Sequence, residues 1–302
     1  MSALVPRQRS ARPVLPERRV RVDGEDVGYV EAGSGPVLVL LHGHEQDATT
    51  WRRVMPALAE DRRVIAVTLP GHERTQVPVD GYAATRDLAR SVGGFLDALG
   101  IGDVDLVGHS MGGAVALHLA LTDPSRVRTL TLVAAAGLGR EVNPLIALGT
   151  LPGVGEWAIQ LSRLPGGHVQ RTVLSMAMLF ARPWRAPAGF LREAHAMGRR
   201  PGQLEASTAL SRALFNVAGQ REVLLGELHT LTMPSLVVWG AWDLVLPAHH
   251  ARAATGRLPR ARLAMFPACG HLPHVEQPDR FIAELRTLLT QPQPQTRRHH
   301  AA

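Results

Sequence analysis

The alternation of short apolar runs with helical patterns constrains the fold most. Seven runs of β-branched or aliphatic residues are bounded by Gly, Pro or Asp: Val27–Glu31, Val37–Leu41, Val64–Val67, Val104–Val107, Thr129–Val133, Leu236–Trp239 and Leu263–Phe266. Several are continuously apolar, as expected where helices cover both faces of a sheet. Helical patterns lie between them, over Thr50–Ala59, Thr85–Leu99, Met111–Leu121 and Pro278–Leu289. This order predicts an α/β fold with a doubly wound, mostly parallel sheet.

The alternation breaks between about residues 137 and 232. That stretch contains no convincing strand, and its helical segments are Trp157–Leu164, Val169–Ala181, Phe190–Met197 and Leu204–Ala218. About 95 residues far exceed an ordinary connection between two strands. We therefore predict a helical cap over residues 138–231, inserted into a core formed by residues 23–137 and 232–290.

The formal net charge of +7 is located at the two ends of the chain. Residues 1–22 contain six Arg and one Glu, and residues 291–302 contain two Arg, so these segments account for the whole excess. We expect a flexible basic arm over residues 1–22 and a disordered tail over residues 291–302. A folded nucleic-acid-binding face is not predicted, because no charge excess remains for the core.

Apolar runs fall short of the roughly 18–20 residues that a bilayer span requires. Residues 1–22 lack the continuous apolar stretch of a secretory leader, and the single cysteine, Cys269, excludes an internal disulfide. These features predict a cytoplasmic protein without a membrane span.

The 14 histidines raise the question of metal binding. Their closest groupings are His249-His250 and His271-x-x-His274, and neither has a Cys or a carboxylate at a zinc-like spacing in the sequence. The sequence therefore predicts no metal and no cofactor, and a small molecule as the binding partner.

The segment Gly108–Gly112 has the pattern G-x-S-x-G. The apolar run Val104–Val107 precedes it and the helical pattern Met111–Leu121 follows. A sharp turn from strand to helix exposes a serine hydroxyl at the edge of a sheet, which makes Ser110 a candidate nucleophile. A serine that merely caps a helix is the alternative, because the pattern alone also arises by chance in a chain with 29 glycines.

A serine hydroxyl is a poor nucleophile without a base and an orienting carboxylate. Asp243 follows the run Leu236–Trp239, and His271 follows the run Leu263–Phe266. Both residues, like Ser110, thus come after the carboxyl end of a predicted strand, where ligands bind in open α/β sheets. The sequence predicts a catalytic triad of Ser110, Asp243 and His271.

These residues resemble those of serine-type α/β-hydrolases with a helical cap, over roughly residues 20–290. The matching segments are His42-Gly43, Leu69–His72, Gly108–Gly113, Trp239–Asp243 and Gly270–Pro278. The resemblance implies an oxyanion hole formed by the backbone N–H groups of His44 and Met111. The chain departs from the D-x-x-G-x-G-x-S pattern of many relatives at Thr68, Glu73 and Thr75, a loop that contains no triad member.

The resulting hypothesis is a serine hydrolase that cleaves a carboxylic ester or related acyl compound with an apolar acyl or alcohol part. Hydrolytic cleavage of a carbon–carbon bond in a vinylogous diketone is an alternative, and so is a non-catalytic ligand receptor. The large apolar residues of the cap are expected partly to hold it together and partly to roof Ser110. These residues are Trp157, Met176, Met178, Phe180, Trp184, Phe190, Met197 and Phe215.

Overall fold

An eight-stranded sheet forms the core of the computed structural model, which describes residues 16–72 and 85–290. The strands of the structure are β1 (Glu17–Val22), β2 (Glu25–Ala32), β3 (Val37–Leu41), β4 (Arg63–Val67), β5 (Val104–His109), β6 (Val127–Val133), β7 (Phe215–Asn216), β8 (Gly219–Gln220), β9 (Ser235–Gly240) and β10 (Ala261–Phe266). The main sheet has the order β1-β2-β4-β3-β5-β6-β9-β10, and β7 and β8 form a separate hairpin. From β4 to β10 the pairs are parallel, whereas β1–β2 and β2–β4 are antiparallel. The predicted fold class is confirmed.

Helices cover both faces of this sheet. They are α1 (Met55–Leu58), α2 (Thr85–Ala98), α3 (Met111–Thr122), α4 (Pro144–Gly149), α5 (Val154–Arg163), α6 (Gly167–Leu179), α7 (Ala188–Gly198), α8 (Gln203–Leu214), α9 (His249–Arg257), α10 (Pro273–Glu276) and α11 (Pro278–Leu289). Alternate residues of a strand point to opposite faces. Accordingly Val39 and Leu41 belong to the buried cluster that contains residues of α2, α3 and α9, whereas Leu38 and Leu40 belong to the cluster that contains residues of α1 and α11. Both faces of β3 are therefore core.

The first strand corrects the prediction for the N-terminus. Residues 17–22 belong to the predicted basic arm, but they form β1 and pair antiparallel with β2. The strand has alternating Arg and Val, and Val22 is buried in the core. The charged residues of this segment favoured the prediction of an exposed arm over that of a half-buried strand. Residues 1–15 and the predicted tail lie outside the described residues.

Two predicted helices are also corrected. The pattern over Thr50–Ala59 divides into a 3-10 turn at Ala48–Trp51 and the short helix α1. The pattern over Leu204–Ala218 ends at Leu214, and the hairpin β7–β8 follows. Gly219 has a φ of 109°, and a Cβ there would lie 2.0 Å from the Arg140 carbonyl oxygen. This positive φ and close contact require glycine at the turn, whereas the prediction of a helix considered only the spacing of apolar residues.

The segment between β6 and β9 contains α4 to α8 and the hairpin. Leu210 of α8 packs into the main core, and Met176 and Phe180 pack against Leu272 beside the sheet. Trp157 and Trp184, in contrast, are 64% and 79% exposed. They neither hold the segment together nor face the sheet, so the expectation for these two residues is wrong.

Within the described ranges, no helix is both long and apolar enough to cross a bilayer.

Candidate active site

Ser110 occupies a strained turn between β5 and α3. Its φ is 52° and its ψ is −118°, a conformation that costs a non-glycine residue about 1–3 kcal/mol. The backbone holds it there, because its N–H donates to the Val133 carbonyl and its own carbonyl accepts the N–H of Ala136, both at 2.9 Å. The side chain is partly exposed at the carboxyl edge of the sheet.

Two glycines of the G-x-S-x-G pattern permit this turn. A Cβ at Gly108 would lie 2.2 Å from the carbonyl oxygen of Gly112, and a Cβ at Gly112 would lie 2.4 Å from that of His42. Real Cβ atoms do not approach backbone so closely. The motif is thus explained by backbone contacts on both sides of Ser110.

The structure brings the three predicted triad residues together. His271 Nε2 is 2.9 Å from Ser110 Oγ, and His271 Nδ1 is 2.8 Å from Asp243 Oδ2. The other oxygen of Asp243 accepts the N–H groups of Val245 and Leu246 at 2.8 and 3.0 Å. Because a carboxylate only accepts, Nδ1–H donates to Asp243 and Nε2 accepts the serine O–H. The side chains of His271 and Asp243 are 3% and 0% exposed.

The loop that carries His271 is attached to the end of α6. The His271 N–H donates to the Leu179 carbonyl at 2.8 Å. The Glu276 carboxylate accepts the N–H of Gly270 at 2.7 Å and that of Ala181 at 3.0 Å. The carboxylate of Glu276 therefore connects this loop to the segment predicted as the cap. Burial raises the pKa of this carboxyl group.

The turn that contains His44 passes directly beside Ser110. A Cβ on Gly43 would lie 2.7 Å from His109 Nδ1 and 3.1 Å from Ser110 Cβ. Met111 is the first residue of α3, and the first N–H groups of a helix have no partner within it. The two predicted oxyanion donors, the N–H groups of His44 and Met111, thus lie on backbone segments that border the serine.

A polar cluster joins the same turn to α6 and α8. Glu45 has a φ of 54°, and its carboxylate accepts from Ser207 Oγ at 2.5 Å and from Arg171 at 2.7 Å. The ring of His44 donates through Nε2 to the Ser207 carbonyl at 3.1 Å. Although burial acts in the opposite direction, Arg171 and His44 lower the pKa of Glu45. Sequence reasoning missed this cluster; the unusual polarity of the turn was its only signal.

Neutral imidazoles surround the triad, which the sequence did not reveal. Burial lowers the pKa of His42 to about 4 and that of His274 to about 3, and it lowers the pKa of His109 well below its usual value. His42 Nε2 accepts the Leu69 N–H at 2.9 Å. The His109 ring does not face the serine, because its Nε2 donates to the carbonyl of His271 at 2.9 Å. These rings act as packing and hydrogen-bonding groups.

Similarity to known proteins shows the family of the chain. The family model of the α/β-hydrolase fold matches residues 36–278. The chain is 34% identical over 291 residues to an uncharacterized protein of Mycobacterium tuberculosis, covering 91% of this chain and 83% of that protein. It is 30% identical over 256 residues to 2-hydroxy-6-oxo-6-phenylhexa-2,4-dienoate hydrolase of Burkholderia cepacia, covering 83% and 86%.

Among solved structures, a thermophilic esterase of Thermogutta terrifontis superposes with a TM-score of 0.74 at 25% identity, covering 91% of this chain and 98% of that one. The chain therefore belongs to the α/β-hydrolase fold family and is a hydrolase. The resemblance stated from the sequence is confirmed.

Proposed function

We propose that the protein is a serine hydrolase that cleaves a carboxylic ester or related acyl compound through an acyl-enzyme. The observation that carries this proposal is the pair of hydrogen bonds of His271, at 2.9 Å to Ser110 and 2.8 Å to Asp243. A base within hydrogen-bonding reach of the nucleophile, oriented by a buried carboxylate, is the arrangement that acyl transfer needs.

In the proposed mechanism, Ser110 Oγ attacks the substrate carbonyl carbon while His271 Nε2 accepts the hydroxyl proton. His271 then returns the proton to the leaving alcohol as the ester bond breaks. Water, deprotonated by the same nitrogen, hydrolyses the acyl-enzyme and regenerates the serine. Asp243 keeps the proton on Nδ1 and stabilises the imidazolium that forms in each half-reaction.

The oxyanion of each tetrahedral intermediate would accept hydrogen bonds from the backbone N–H groups of His44 and Met111. Removing one such donor typically costs about 10²–10³ in kcat. Because both donors are backbone groups, the position of the turn that contains His44 determines how well the His44 N–H points at the oxyanion. The contacts of Glu45 with Arg171 and Ser207 support this position.

An apolar cluster favours a substrate with an apolar part. Met176 and Phe180 of the cap segment pack with Leu272, which follows His271 directly, and with Val275 of α10. Phe190 lies edge-on to Phe180, with ring centroids 5.2 Å apart. Each methylene of a substrate buried beside such side chains contributes up to about 0.8 kcal/mol. We propose that the cap segment, residues 138–231, covers Ser110 and binds the acyl or alcohol part of the substrate by burying its apolar surface.

A series of p-nitrophenyl esters from acetyl to octanoyl, at fixed pH, tests the proposal. We expect kcat/KM to increase severalfold per two carbons toward medium chains, and Ser110→Ala to abolish both turnover and labelling by a fluorophosphonate. A flat or falling profile would contradict the apolar roof. Activity of the Ser110→Ala variant above a few per cent would contradict the nucleophile.

Hydrolytic carbon–carbon cleavage of a vinylogous diketone is the second candidate function. It is favoured by the 30% identity to the dienoate hydrolase of Burkholderia cepacia, and the same three side chains would carry it out. Assaying a dienoate substrate beside the ester series distinguishes the two, because the preferred substrate class should have the higher kcat/KM.

A receptor without turnover would leave Ser110 unlabelled by the fluorophosphonate. Labelling would therefore exclude that alternative. We also propose a cytoplasmic location, since the single cysteine, Cys269, leaves the chain without an internal disulfide.

A further inference from the structure

The structure places a carboxylate beside a histidine pair that the sequence left without one. His249 and His250 begin α9, and Glu141 lies in the segment after β6, more than a hundred residues earlier in the chain. Glu141 Oε2 is 2.8 Å from His250 Nε2, and Glu141 Oε1 is 3.3 Å from His249 Nε2. Adjacent helical residues do not ordinarily face each other, yet both rings converge on this carboxylate.

One ligand atom from each residue lies within 4.8 Å of the other two. Ligands of a tetrahedral zinc ion are about 3.3 Å apart, given bond lengths of about 2.0–2.1 Å. The side chain of His250 is 2% exposed, whereas those of His249 and Glu141 are 58% and 60% exposed. The buried ring therefore holds a fixed position, and the two exposed side chains can move the short distance that a metal ion requires.

Nε2 is the polar atom that His250 presents to this cluster. In the described part of the chain its Nδ1 is buried and has no hydrogen-bond partner. Gly139 makes room for the ring, because a Cβ there would lie 2.2 Å from His250 Nε2. The backbone of the Glu141 segment is thus shaped around the ring nitrogen that faces the carboxylate.

We propose that Glu141, His249 and His250 bind a divalent transition-metal ion, with Zn²⁺ as the probe ion. Two imidazoles and a carboxylate suit zinc, cobalt, nickel and copper, whereas magnesium and calcium favour sites built of oxygen ligands. Three protein ligands on a solvent-exposed side leave the fourth position to water. The site shares no residue with the triad, and its proposal does not depend on the ester chemistry.

Such an ion would join the start of the cap segment to the core. Asn143, two residues after Glu141, donates its N–H to the Val245 carbonyl at 2.9 Å and its side-chain amide to the Leu244 carbonyl at 2.6 Å. Both acceptors belong to the loop that begins at Asp243. A metal bound by Glu141 and α9 would cross-link the segment after β6 to the end of that loop, so the folded protein should gain stability on binding.

The test is a titration of the metal-free, untagged full chain with Zn²⁺ by calorimetry and with Co²⁺ by absorption spectroscopy. We expect one equivalent to bind at this site, a higher Tm in Zn²⁺, and no comparable binding of Mg²⁺. Glu141→Gln and His249→Ala should each weaken Zn²⁺ binding at least about tenfold, since even the loss of an outer hydrogen-bond partner costs 10–100-fold. Both positions are exposed, so these variants are expected to fold.

A double variant, His299→Ala with His300→Ala, is the matched control because it removes the other adjacent histidine pair of the chain. It should bind Zn²⁺ as the unaltered protein does. The proposal is overturned if Glu141→Gln and His249→Ala leave the affinity and the metal-dependent rise in Tm unchanged. Loss of binding only in the control variant would equally overturn it and would place the ion on residues 299 and 300.

Discussion

Replacing Glu276 by Gln should loosen the connection between the cap segment and the loop of His271. The two carboxylate oxygens of Glu276 accept from different donors, Oε1 from the Gly270 N–H and Oε2 from the Ala181 N–H. An amide has one oxygen and one NH2 group. In Glu276→Gln, one of the two backbone donors must therefore face another donor and move away.

The size of the effect follows from these contacts. A hydrogen bond to a charged group contributes about 1.5–3 kcal/mol, and Glu276 is only partly buried, so we expect a loss of about 2 kcal/mol. At about 2–4 °C per kcal/mol, Tm should decrease by about 4–8 °C. Gly270 precedes His271 directly, so the base should also shift relative to Ser110. A displacement of about 1 Å can cost 10²-fold, and we expect kcat to fall tenfold or more with little change in KM.

Thermal unfolding and steady-state kinetics on a p-nitrophenyl ester measure both effects. Glu227→Gln is the matched control, because Glu227 is exposed and forms no ion pair within the described ranges. If Glu276→Gln has the Tm and kcat of this control, the two hydrogen bonds do not position His271, and the reasoning is refuted.

Three further predictions concern the triad, the oxyanion turn and the buried imidazoles. Asp243→Asn should lower kcat by up to about 10⁴ at nearly constant KM, because the amide favours the wrong imidazole tautomer; a near-normal rate would place the orienting carboxylate elsewhere. Glu45→Gln weakens the contact with Arg171 and should reduce kcat about tenfold, for a loss of about 1.4 kcal/mol, whereas Glu205→Gln, at an exposed ion pair, should have no effect on kcat. Below about pH 6.5 an unfolded imidazole binds a proton, while burial keeps His274 neutral down to its pKa of about 3. The free energy of unfolding should therefore decrease as the pH falls between these values. His274→Phe should remove up to about 1.4 kcal/mol of that decrease per pH unit, which urea denaturation at a series of pH values measures. An unchanged slope would count against this explanation.

Much of the fold and of the candidate site could be predicted because both depend on local patterns. Continuous apolar runs such as Val37–Leu41 form strands buried on both faces, and the structure reproduces the bounds of that run in β3. The carboxyl ends of parallel strands meet at one edge of a sheet. The positions of Ser110, Asp243 and His271 directly or shortly after the ends of strands were therefore enough to expect them near one another.

Weak local patterns account for the elements that were missed. Strand β1 is only six residues long, and its arginines resemble those of the preceding segment of the sequence. Its strand conformation depends on pairing with β2 and on the burial of Val22 against the core. The hairpin after α8 is similarly determined by the close approach of Gly219 to the Arg140 carbonyl.

Contacts between distant segments were decided by the tertiary structure alone. The hydrogen bond between Glu45 and Arg171 joins residues 126 positions apart in the sequence. The separation is 95 positions for Ala181 and Glu276, and 109 for Glu141 and His250. Sequence periodicity indicates which face of an element is buried, because burial depends on that element's own side chains. It carries no information on which polar groups two separate loops will place opposite each other, since that depends on how every intervening element packs.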